Sequence, residues 1–266
     1  MKNFLDRIVA DKLKENERLF APGTVQAMQA QIAGQPPRRS LKAALDQAGP
    51  PAIIAEIKRA SPSKGPLALD LDPLALALEY QAHGAAAISV LTERNYFQGS
   101  PDFIPRLRPH LHIPILRKDF IIEMIQVYES AALGADALLL IVAALQAGTL
   151  RALLLLTQSL GLEALVEVAS REELQIALDL GATLIGINHR NLRTFEMNMN
   201  RAIELLPLIP PEVTVVAASG LHSRADLARL EEAGIKAFLI GESLVQAGQP
   251  GAKLRELRGE TSPGAD

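Results

Sequence analysis

The sequence of 266 residues contains no cysteine and no tryptophan. The absence of cysteine excludes disulfide bonds, thiolate metal sites and a cysteine nucleophile. Long apolar runs are also missing, since the longest, residues 137–145, is about half the length that a membrane-spanning helix needs. A secretory signal is not predicted either, because Asp6 and Arg7 lie where its apolar core would be. These absences predict a cytoplasmic protein that does not bind membranes.

An excess of charge of either sign is absent too. The formal net charge is -3, and 21% charged residues of both signs are interspersed along the chain. Such a chain has no basic field that would attract nucleic acid, so an anionic ligand must be held by local charges. We expect a small anionic molecule as the partner, no nucleic acid, and a monomer or weak homo-oligomer.

Short apolar runs, rich in β-forming residues, recur along the chain. There are eight, and the segments between them carry Leu- and Ala-rich helical patterns such as "DPLALALEYQAHG". The runs are "PAIIAEIK" (51–58), "AAAISVLTE" (85–93), "IPILRKDF" (113–120), "ADALLLIV" (135–142), "LEALVEV" (162–168), "ATLIGINHR" (182–190), "VTVVAASG" (213–220) and "KAFLIGES" (236–243).

This alternation of strand and helix predicts an α/β fold with a parallel sheet covered on both faces. Eight repeats favour a closed (β/α)₈ barrel of the TIM type. A doubly wound open sheet is the alternative, but no G-x-G-x-x-G motif follows an early strand. We therefore predict three regions: an N-terminal helical extension packing on the barrel (1–49), the barrel (50–258), and a polar tail (259–266). Within the extension we expect helices near 2–20 and 40–47, with a looser, irregular segment that contains "GQPPRRS" between them.

Most of the predicted strands end in polar or glycine residues. In a (β/α)₈ barrel the carboxyl ends of the strands surround one site, so residues far apart in sequence meet there. The residues at these ends are Glu56, Lys58, Lys118, Glu167, Asn188, Arg190, Ser219, Gly220, Gly241 and Glu242.

Any one of these charged residues alone would be better explained as an ordinary ion pair. Burying charge is costly, however, and its presence on several strands together indicates a site with chemistry to do. Gly220 and Gly241 follow the last two strands, where such barrels often hold a phosphate on backbone N–H groups. Ser61, in the turn "SPSKG", is a candidate hydroxyl donor to the same phosphate.

A metal site and a nucleic-acid site are not predicted. His110 and His112 flank Leu111 before the third strand, away from the expected site, and a chance surface pair explains them better than a metal does. The stretch "RLRPHLHIP" is basic but has no aromatic residue on which a base could stack.

The stretch "IIAEIKRASPSKG" (53–65) closely resembles the signature of the indole-3-glycerol-phosphate synthase family. The resemblance extends from the first helix to about Leu257. It continues in order through "ILRKDFI" (115–121), "ADALLLI" (135–141), "ALVEV" (164–168), "IGINHRNL" (185–192), "ASGL" (218–221) and "FLIGESL" (238–244). Together these motifs are specific, although none of the glycine turns would be so alone.

The resemblance implies the substrate 1-(o-carboxyphenylamino)-1-deoxyribulose 5-phosphate, ring closure to indole-3-glycerol phosphate with loss of carbon dioxide and water, and no cofactor. It implies that Lys118 is the general acid and Glu167 a base or charge stabiliser, assisted by Lys58 and Glu56. The implied substrate contacts are Asn188, Arg190, Phe120, Leu140 and Ser219, and the implied phosphate contacts are Ser61, Gly220, Gly241 and Glu242.

One position departs from the family pattern. Several members carry a glutamate immediately before the Ser-Gly of the seventh strand, where this chain has Ala218. Two other functions stay open from the residues: a Schiff-base aldolase that uses Lys118 or Lys58 as nucleophile, and a barrel that binds phosphorylated metabolites without turnover.

Overall fold

The computed structural model describes residues 4–62 and 64–260. Eight parallel strands pair in sequence order, and the last pairs with the first, so the sheet is a closed barrel. The strands are β1 Ala52–Ile57, β2 Ala87–Leu91, β3 Ile115–Lys118, β4 Ala137–Ile141, β5 Glu163–Val168, β6 Leu184–Asn188, β7 Thr214–Ala218 and β8 Ala237–Ile240. The prediction of a (β/α)₈ barrel is confirmed.

Helices precede the barrel and connect its strands. They are α1 Phe4–Asn16, α2 Thr24–Ala33, α3 Leu41–Ala48, α4 Pro73–Ala82, α5 Phe103–Leu107, α6 Met124–Leu133, α7 Ala147–Ser159, α8 Arg171–Asp179, α9 Arg201–Leu205, α10 Arg224–Glu232, α11 Glu242–Val245 and α12 Pro250–Arg258. Short 3₁₀ turns lie at Glu17–Phe20, Val142–Ala144 and Leu206–Leu208. After β1, Ala60–Ser61 pairs with Gly65–Pro66 in an antiparallel turn.

Several of these helices begin and end as their sequences predict. The Asp72 side chain accepts a hydrogen bond from Leu74 N at the start of α4, and Ser223 caps α10 in the same manner. Gly134 ends α6 with φ +92°, in the left-handed region that glycine adopts without steric cost. These local signals fix where each helix stops and the next strand can begin.

The strands of the barrel separate two apolar layers. Because successive side chains of a strand point to opposite faces, Leu139 faces the barrel interior while its neighbours Leu138 and Leu140 pack against the surrounding helices. The same alternation on β3 sends Leu116 inward. The strands are therefore apolar on both faces, which accounts for their continuous hydrophobic runs.

The N-terminal segment closes both ends of the barrel. Helix α1 lies at the carboxyl ends of the strands, where Leu5 and Ile8 are buried with the interior layer. Helix α3 lies at the amino ends, where Leu41 and Leu45 are buried below the first residues of the strands. The extension thus contributes to the core as well as covering the site.

Helix α2 joins these two ends along the outside of the barrel. It packs on α6, with Met28 of α2 and Leu19 of the preceding 3₁₀ turn buried against Ile125 and Ala132. The sequence predicted an irregular segment here, and that was wrong for residues 24–33. The residues 261–266 of the predicted polar tail lie outside the described part of the chain.

Across residues 4–62 and 64–260, no helix is both long enough and apolar enough to cross a membrane. The same residues contain no group of three or more histidine or acidic side chains arranged to hold a metal ion.

Candidate active site

A cavity of about 330 Å³ opens at the carboxyl ends of the strands, under α1. It gathers residues from seven strands or the loops that follow them, all except β4. All of the predicted site residues except Leu140 line it: Glu56, Lys58, Ser61, Lys118, Phe120, Glu167, Asn188, Arg190, Ser219, Gly220, Gly241 and Glu242. The shared mouth that the strand ends predicted is therefore present.

Glu56 and Lys58 form an ion pair at the end of β1. Lys58 Nζ lies 2.9 Å from Glu56 Oε1, and the Glu56 side chain is only 5% exposed. Burial alone would raise the pKa of the Glu56 carboxyl, but the ammonium groups of Lys58 and Lys118 together hold this pKa below its usual range. Glu56 is thus a carboxylate at neutral pH, able to stabilise positive charge or accept a proton.

Lys118 and Glu167 face each other across the cavity, from β3 and β5. Lys118 Nζ is 3.9 Å from Glu167 Oε2, which is longer than a hydrogen bond. Glu167 Oε1 accepts a hydrogen bond of 3.0 Å from the Asn188 amide. Within the described part of the chain, Lys118 Nζ thus has donors free for a bound molecule, while the Glu167 carboxylate is oriented by Asn188.

Asn188 is itself held from several directions. Its side-chain oxygen accepts a hydrogen bond of 3.0 Å from Arg190 N, and its carbonyl accepts one of 2.6 Å from the Arg201 guanidinium. These contacts fix the amide orientation at the end of β6. The Arg190 side chain lines the cavity next to it and adds a permanent positive charge.

Gly241 makes room for a neighbouring side chain. A Cβ atom built there would overlap the Glu56 carboxylate. The backbone at Gly241 has φ −129°, which any residue can adopt, so space and not conformation requires the glycine. Gly220 differs, because its φ of +73° lies in the left-handed region.

Leu140 does not belong to the site. It is fully buried in the layer between the strands and the helices, whereas Leu139 and Ile141 of the same strand face the barrel interior. The prediction that Leu140 contacts the substrate is therefore wrong. A shift of one residue along a strand moves a side chain to the opposite face, and Leu140 lies on the face away from the cavity.

The roof of the cavity was not predicted residue by residue. Phe4, Leu5 and Ile8 of α1 line it, and Phe4 packs edge-on to Tyr96 with ring centroids 5.3 Å apart. Tyr96 also donates a hydrogen bond of 2.6 Å to Asp11. The amphipathic pattern of α1 showed that this helix packs on something, but not which of its residues meet the cavity.

The loop after β2 supplies an aromatic wall. Phe97 lines the cavity, with its ring centroid 6.4 Å from that of Phe120. Glu93 shapes this loop, since its buried carboxylate accepts backbone hydrogen bonds of 3.0, 2.7 and 3.0 Å from Asn95, Tyr96 and Phe97. The signal was present in the sequence, because "LTE" ends β2 in polar residues as the other strands end.

A second hollow, of about 610 Å³, lies at the opposite end of the barrel beside α3. Its charged lining residues, Lys42, Asp46, Glu212 and Lys236, all keep part of their surface in solvent. The smaller cavity, with buried Glu56 and Glu167, is where desolvated acid–base groups converge, and we assign the site there.

The fold and this cavity define a (β/α)₈-barrel enzyme whose acidic and basic side chains converge at the carboxyl ends of the strands. A family model described as "Indole-3-glycerol phosphate synthase" matches residues 5–257. The chain belongs to this family.

Relatives similar to the chain over nearly its whole length carry the same name. The indole-3-glycerol phosphate synthase of Acidithiobacillus ferrooxidans is 46% identical over 261 residues, covering 97% of this chain and 99% of the relative. That of Burkholderia ambifaria is 43% identical over 259 residues, with the same coverage of both chains.

Solved structures of other barrels share the fold at low identity. A 3-hexulose-6-phosphate synthase has a TM-score of 0.60 at 16% identity and covers 78% of this chain and 98% of its own. KGPDC from Streptococcus mutans has a TM-score of 0.61 at 17% identity and covers 79% of this chain and 96% of its own. These likenesses establish the architecture alone.

Proposed function

We propose that the chain catalyses the reaction of its family. In that reaction 1-(o-carboxyphenylamino)-1-deoxyribulose 5-phosphate closes to indole-3-glycerol phosphate and releases one carbon dioxide and one water. The observation that carries the proposal is the pairing of Lys118 with Glu167 and of Lys58 with Glu56 around one cavity. Ring closure followed by dehydration needs acids and bases that exchange protons in one pocket, and these pairs provide them.

In this proposal Lys118 is the general acid. Its ammonium group donates to the ribulose carbonyl oxygen while the ring carbon that bears the carboxylate attacks the carbonyl carbon. Glu167 then accepts a proton or stabilises positive charge during loss of water, and the hydrogen bond from Asn188 orients it for this step. Lys58 and Glu56 assist proton transfer in the same cavity.

The remaining lining residues divide by chemistry. We assign the aryl group of the substrate to the apolar side, where Phe120 and Phe97 lie, and its carboxylate to Arg190. Ser219 and Asn188 contact the substrate hydroxyls. The phosphate is placed on the loops at Ser61, Gly220, Gly241 and Glu242, where backbone N–H groups and a hydroxyl act as donors. No cofactor has a role in these steps.

The proposal extends to the organisation of the chain. The extension predicted for residues 1–49 packs, from residue 4 onwards, on a barrel of residues 50–258, and α1 shields the reacting atoms from water. The protein acts in the cytoplasm as a monomer or weak homo-oligomer, and neither nucleic acid nor a membrane is its partner.

The test is direct turnover. Purified protein is mixed with the synthetic substrate, and formation of indole-3-glycerol phosphate is followed by the absorbance of the indole ring. We expect turnover by the wild-type chain and loss of at least about 100-fold in kcat for Lys118→Met. A folded wild-type protein that binds the substrate without forming indole would contradict the proposal, and so would a Lys118→Met variant with unchanged kcat.

A further inference from the structure

His189 lies between two residues of the cavity but faces the other way. Asn188 and Arg190 line the cavity, whereas the His189 ring is fully buried on the opposite side of the same segment. Its backbone is held as well, because His189 N donates a hydrogen bond of 2.9 Å to Ala218 O. The ring is therefore fixed beside the end of β7.

The His189 ring makes one hydrogen bond to the neighbouring turn. Its Nδ1 atom is 2.9 Å from the carbonyl oxygen of Ser219. A carbonyl oxygen only accepts, so Nδ1 carries the hydrogen and donates it. The other ring nitrogen, Nε2, is buried and has no hydrogen-bond partner among the described residues.

His189 is neutral in this environment. Burial lowers the pKa of its imidazole, and the positive charges of Arg201 and Arg229 lower this pKa further, although the hydrogen bond to Ser219 opposes both. A protonated ring would also leave a charged N–H buried without an acceptor. The ring is thus a fixed donor of one hydrogen bond, with no proton to exchange near neutral pH.

The turn that receives this hydrogen bond has an uncommon backbone. Ser219 has φ +72° and Gly220 has φ +73°, so two successive residues are left-handed. For serine this conformation is unfavourable and persists only where neighbouring contacts hold it. The hydrogen bond from His189 is such a contact, and it is made to the peptide group that joins the two residues.

The geometry of that peptide group links His189 to the cavity. A trans peptide is planar, and its carbonyl oxygen and amide hydrogen point in opposite directions. Because His189 holds the Ser219 oxygen on the side away from the cavity, the N–H of Gly220 points towards the cavity. Gly220 N makes no hydrogen bond within residues 4–62 and 64–260, so it is free to bind a ligand.

We propose that His189 is a positioning residue, which fixes the Ser219–Gly220 peptide so that the Gly220 N–H binds the phosphate of the substrate. The inference rests on the phosphate placement in the proposed function. It adds a residue that does not touch the substrate and acts through one hydrogen bond to a carbonyl oxygen.

Three substitutions separate the hydrogen bond from the bulk of the ring. In asparagine, Nδ2 is as many bonds from Cβ as Nδ1 is in histidine, so His189→Asn keeps a donor where it is needed. His189→Gln moves the amide to the position of Nε2, one bond further out. His189→Leu has a similar branched shape and no donor at all.

The measurements are KM, kcat and the Ki of inorganic phosphate as a competitive inhibitor, with the melting temperature of each variant. For His189→Leu and His189→Gln we expect KM and Ki to rise about tenfold, the usual effect of losing one hydrogen bond to a charged group, with kcat within about threefold of wild type. For His189→Asn we expect KM and Ki within about threefold of wild type, although all three variants lose the packing of the ring.

Two results would overturn the inference. One is an equal Ki for phosphate in His189→Leu, His189→Gln and wild type, and the other is a failure of His189→Asn to differ from His189→Gln. If His189→Leu does not fold, the comparison of His189→Asn with His189→Gln still tests whether the hydrogen bond to Ser219 matters for phosphate binding. Failure of the proposed function itself looks different, because inorganic phosphate would then not compete with the substrate in the wild-type protein.

Discussion

Two clusters of buried charged side chains lie on opposite sides of β3. The adjacent residues Arg117 and Lys118 belong to different clusters. The inner charge cluster, Glu56, Lys58, Lys118 and Glu167, faces the cavity. The outer charge cluster, Lys12, Arg117, Asp119 and Glu129, faces α1 and α6. Both contain cations and carboxylates in equal number, yet their hydrogen bonding differs.

The outer charge cluster is saturated. Arg117 uses all five of its N–H donors. They are donated to Glu129 at 2.7 Å, to Asp119 at 3.2 Å, to Thr92 and Ser130 at 3.1 Å, and to the Gln126 carbonyl at 3.4 Å. Asp119 also accepts from Lys12 at 2.9 Å and from Thr92 at 2.6 Å. No donor of the Arg117 guanidinium is left for a ligand, so this cluster holds helices to the barrel.

The inner charge cluster is incompletely paired, since Lys118 and Glu167 are 3.9 Å apart and Lys118 is 19% exposed. Its members can therefore exchange a protein partner for a substrate atom. The comparison teaches that burial of charge does not by itself mark a site. Unsatisfied donors that face a cavity do mark it.

The largest expected effect is on catalysis by the inner charge cluster. Lys118→Arg keeps the positive charge, but a guanidinium holds its proton too tightly to act as an acid. We expect kcat to fall by roughly 10²- to 10⁴-fold, with KM within a few-fold and the free energy of unfolding within about 1 kcal/mol of wild type. Steady-state kinetics measure kcat and KM, and urea unfolding measures the free energy of unfolding. A near-normal kcat would show that Lys118 acts by charge alone.

The neighbouring residue should respond in the opposite way. Arg117→Met leaves Asp119 and Glu129 buried without their main cation, which costs about 3–5 kcal/mol of unfolding free energy. Because Arg117 does not face the cavity, kcat per folded molecule should stay within about threefold of wild type. Urea unfolding, with kinetics below the transition, tests this. A large fall in kcat with unchanged stability would remove the distinction between the clusters.

Acid should weaken the outer charge cluster through Asp119. Burial would raise the pKa of this carboxyl, but Arg117 and Lys12 and the hydrogen bonds it accepts lower it to about 2. Since the pKa in the unfolded chain is about 3.9, the stabilisation is complete above that pH and is lost as the pH falls towards 2.

The unfolding free energy of wild type should fall between pH 6 and pH 2.5. In Asp119→Asn we therefore expect this fall to be smaller by on the order of 2 kcal/mol. Urea unfolding at both pH values measures this change. Asp70→Asn, at an exposed turn position, is a control for the removal of one carboxylate. Parallel pH profiles for wild type and Asp119→Asn would contradict the prediction.

The smallest expected effect concerns the space that Glu56 occupies. Gly241→Ala adds one methyl group that displaces the Glu56 carboxylate, so the pair with Lys58 is disturbed without any change of charge. We expect kcat to fall about tenfold, with little change in stability. Gly248→Ala is the matched control, because a Cβ there meets nothing within 4 Å. Equal kcat values for the two variants would show that Glu56 relocates freely.

The barrel and the residues of its mouth could be predicted because both follow local rules. Eight apolar runs separated by helix patterns predict the strands, and the strand ends predict Glu56, Lys118 and Glu167 in one place. The period of two places Lys118 and Phe120 on one face of the β3 segment. It also places Leu140 and Leu139 on opposite faces of β4, and only Leu139 faces the barrel interior.

What the sequence could not show was the tertiary contact of single side chains. Arg117 and Asp119 lie on the face of β3 away from Lys118, but only the structure shows that their hydrogen bonds are saturated by neighbouring helices. Phe97 depends on a loop shape that one carboxylate, Glu93, imposes. Helix α2 has no strong apolar face of its own and becomes a helix because α6 offers a surface for it.

The opposite docking sites of α1 and α3 have a consequence for synthesis of the chain. Both helices are synthesised before the barrel strands, but Leu41 and Leu45 pack below strands that include β7, which is synthesised much later than α3. The final strand must also pair with β1 to close the ring. These contacts span most of the chain, so closing the barrel and seating α3 belong to one late step after translation. Until then Leu41 and Leu45 lack the strand ends against which they are buried in the folded protein.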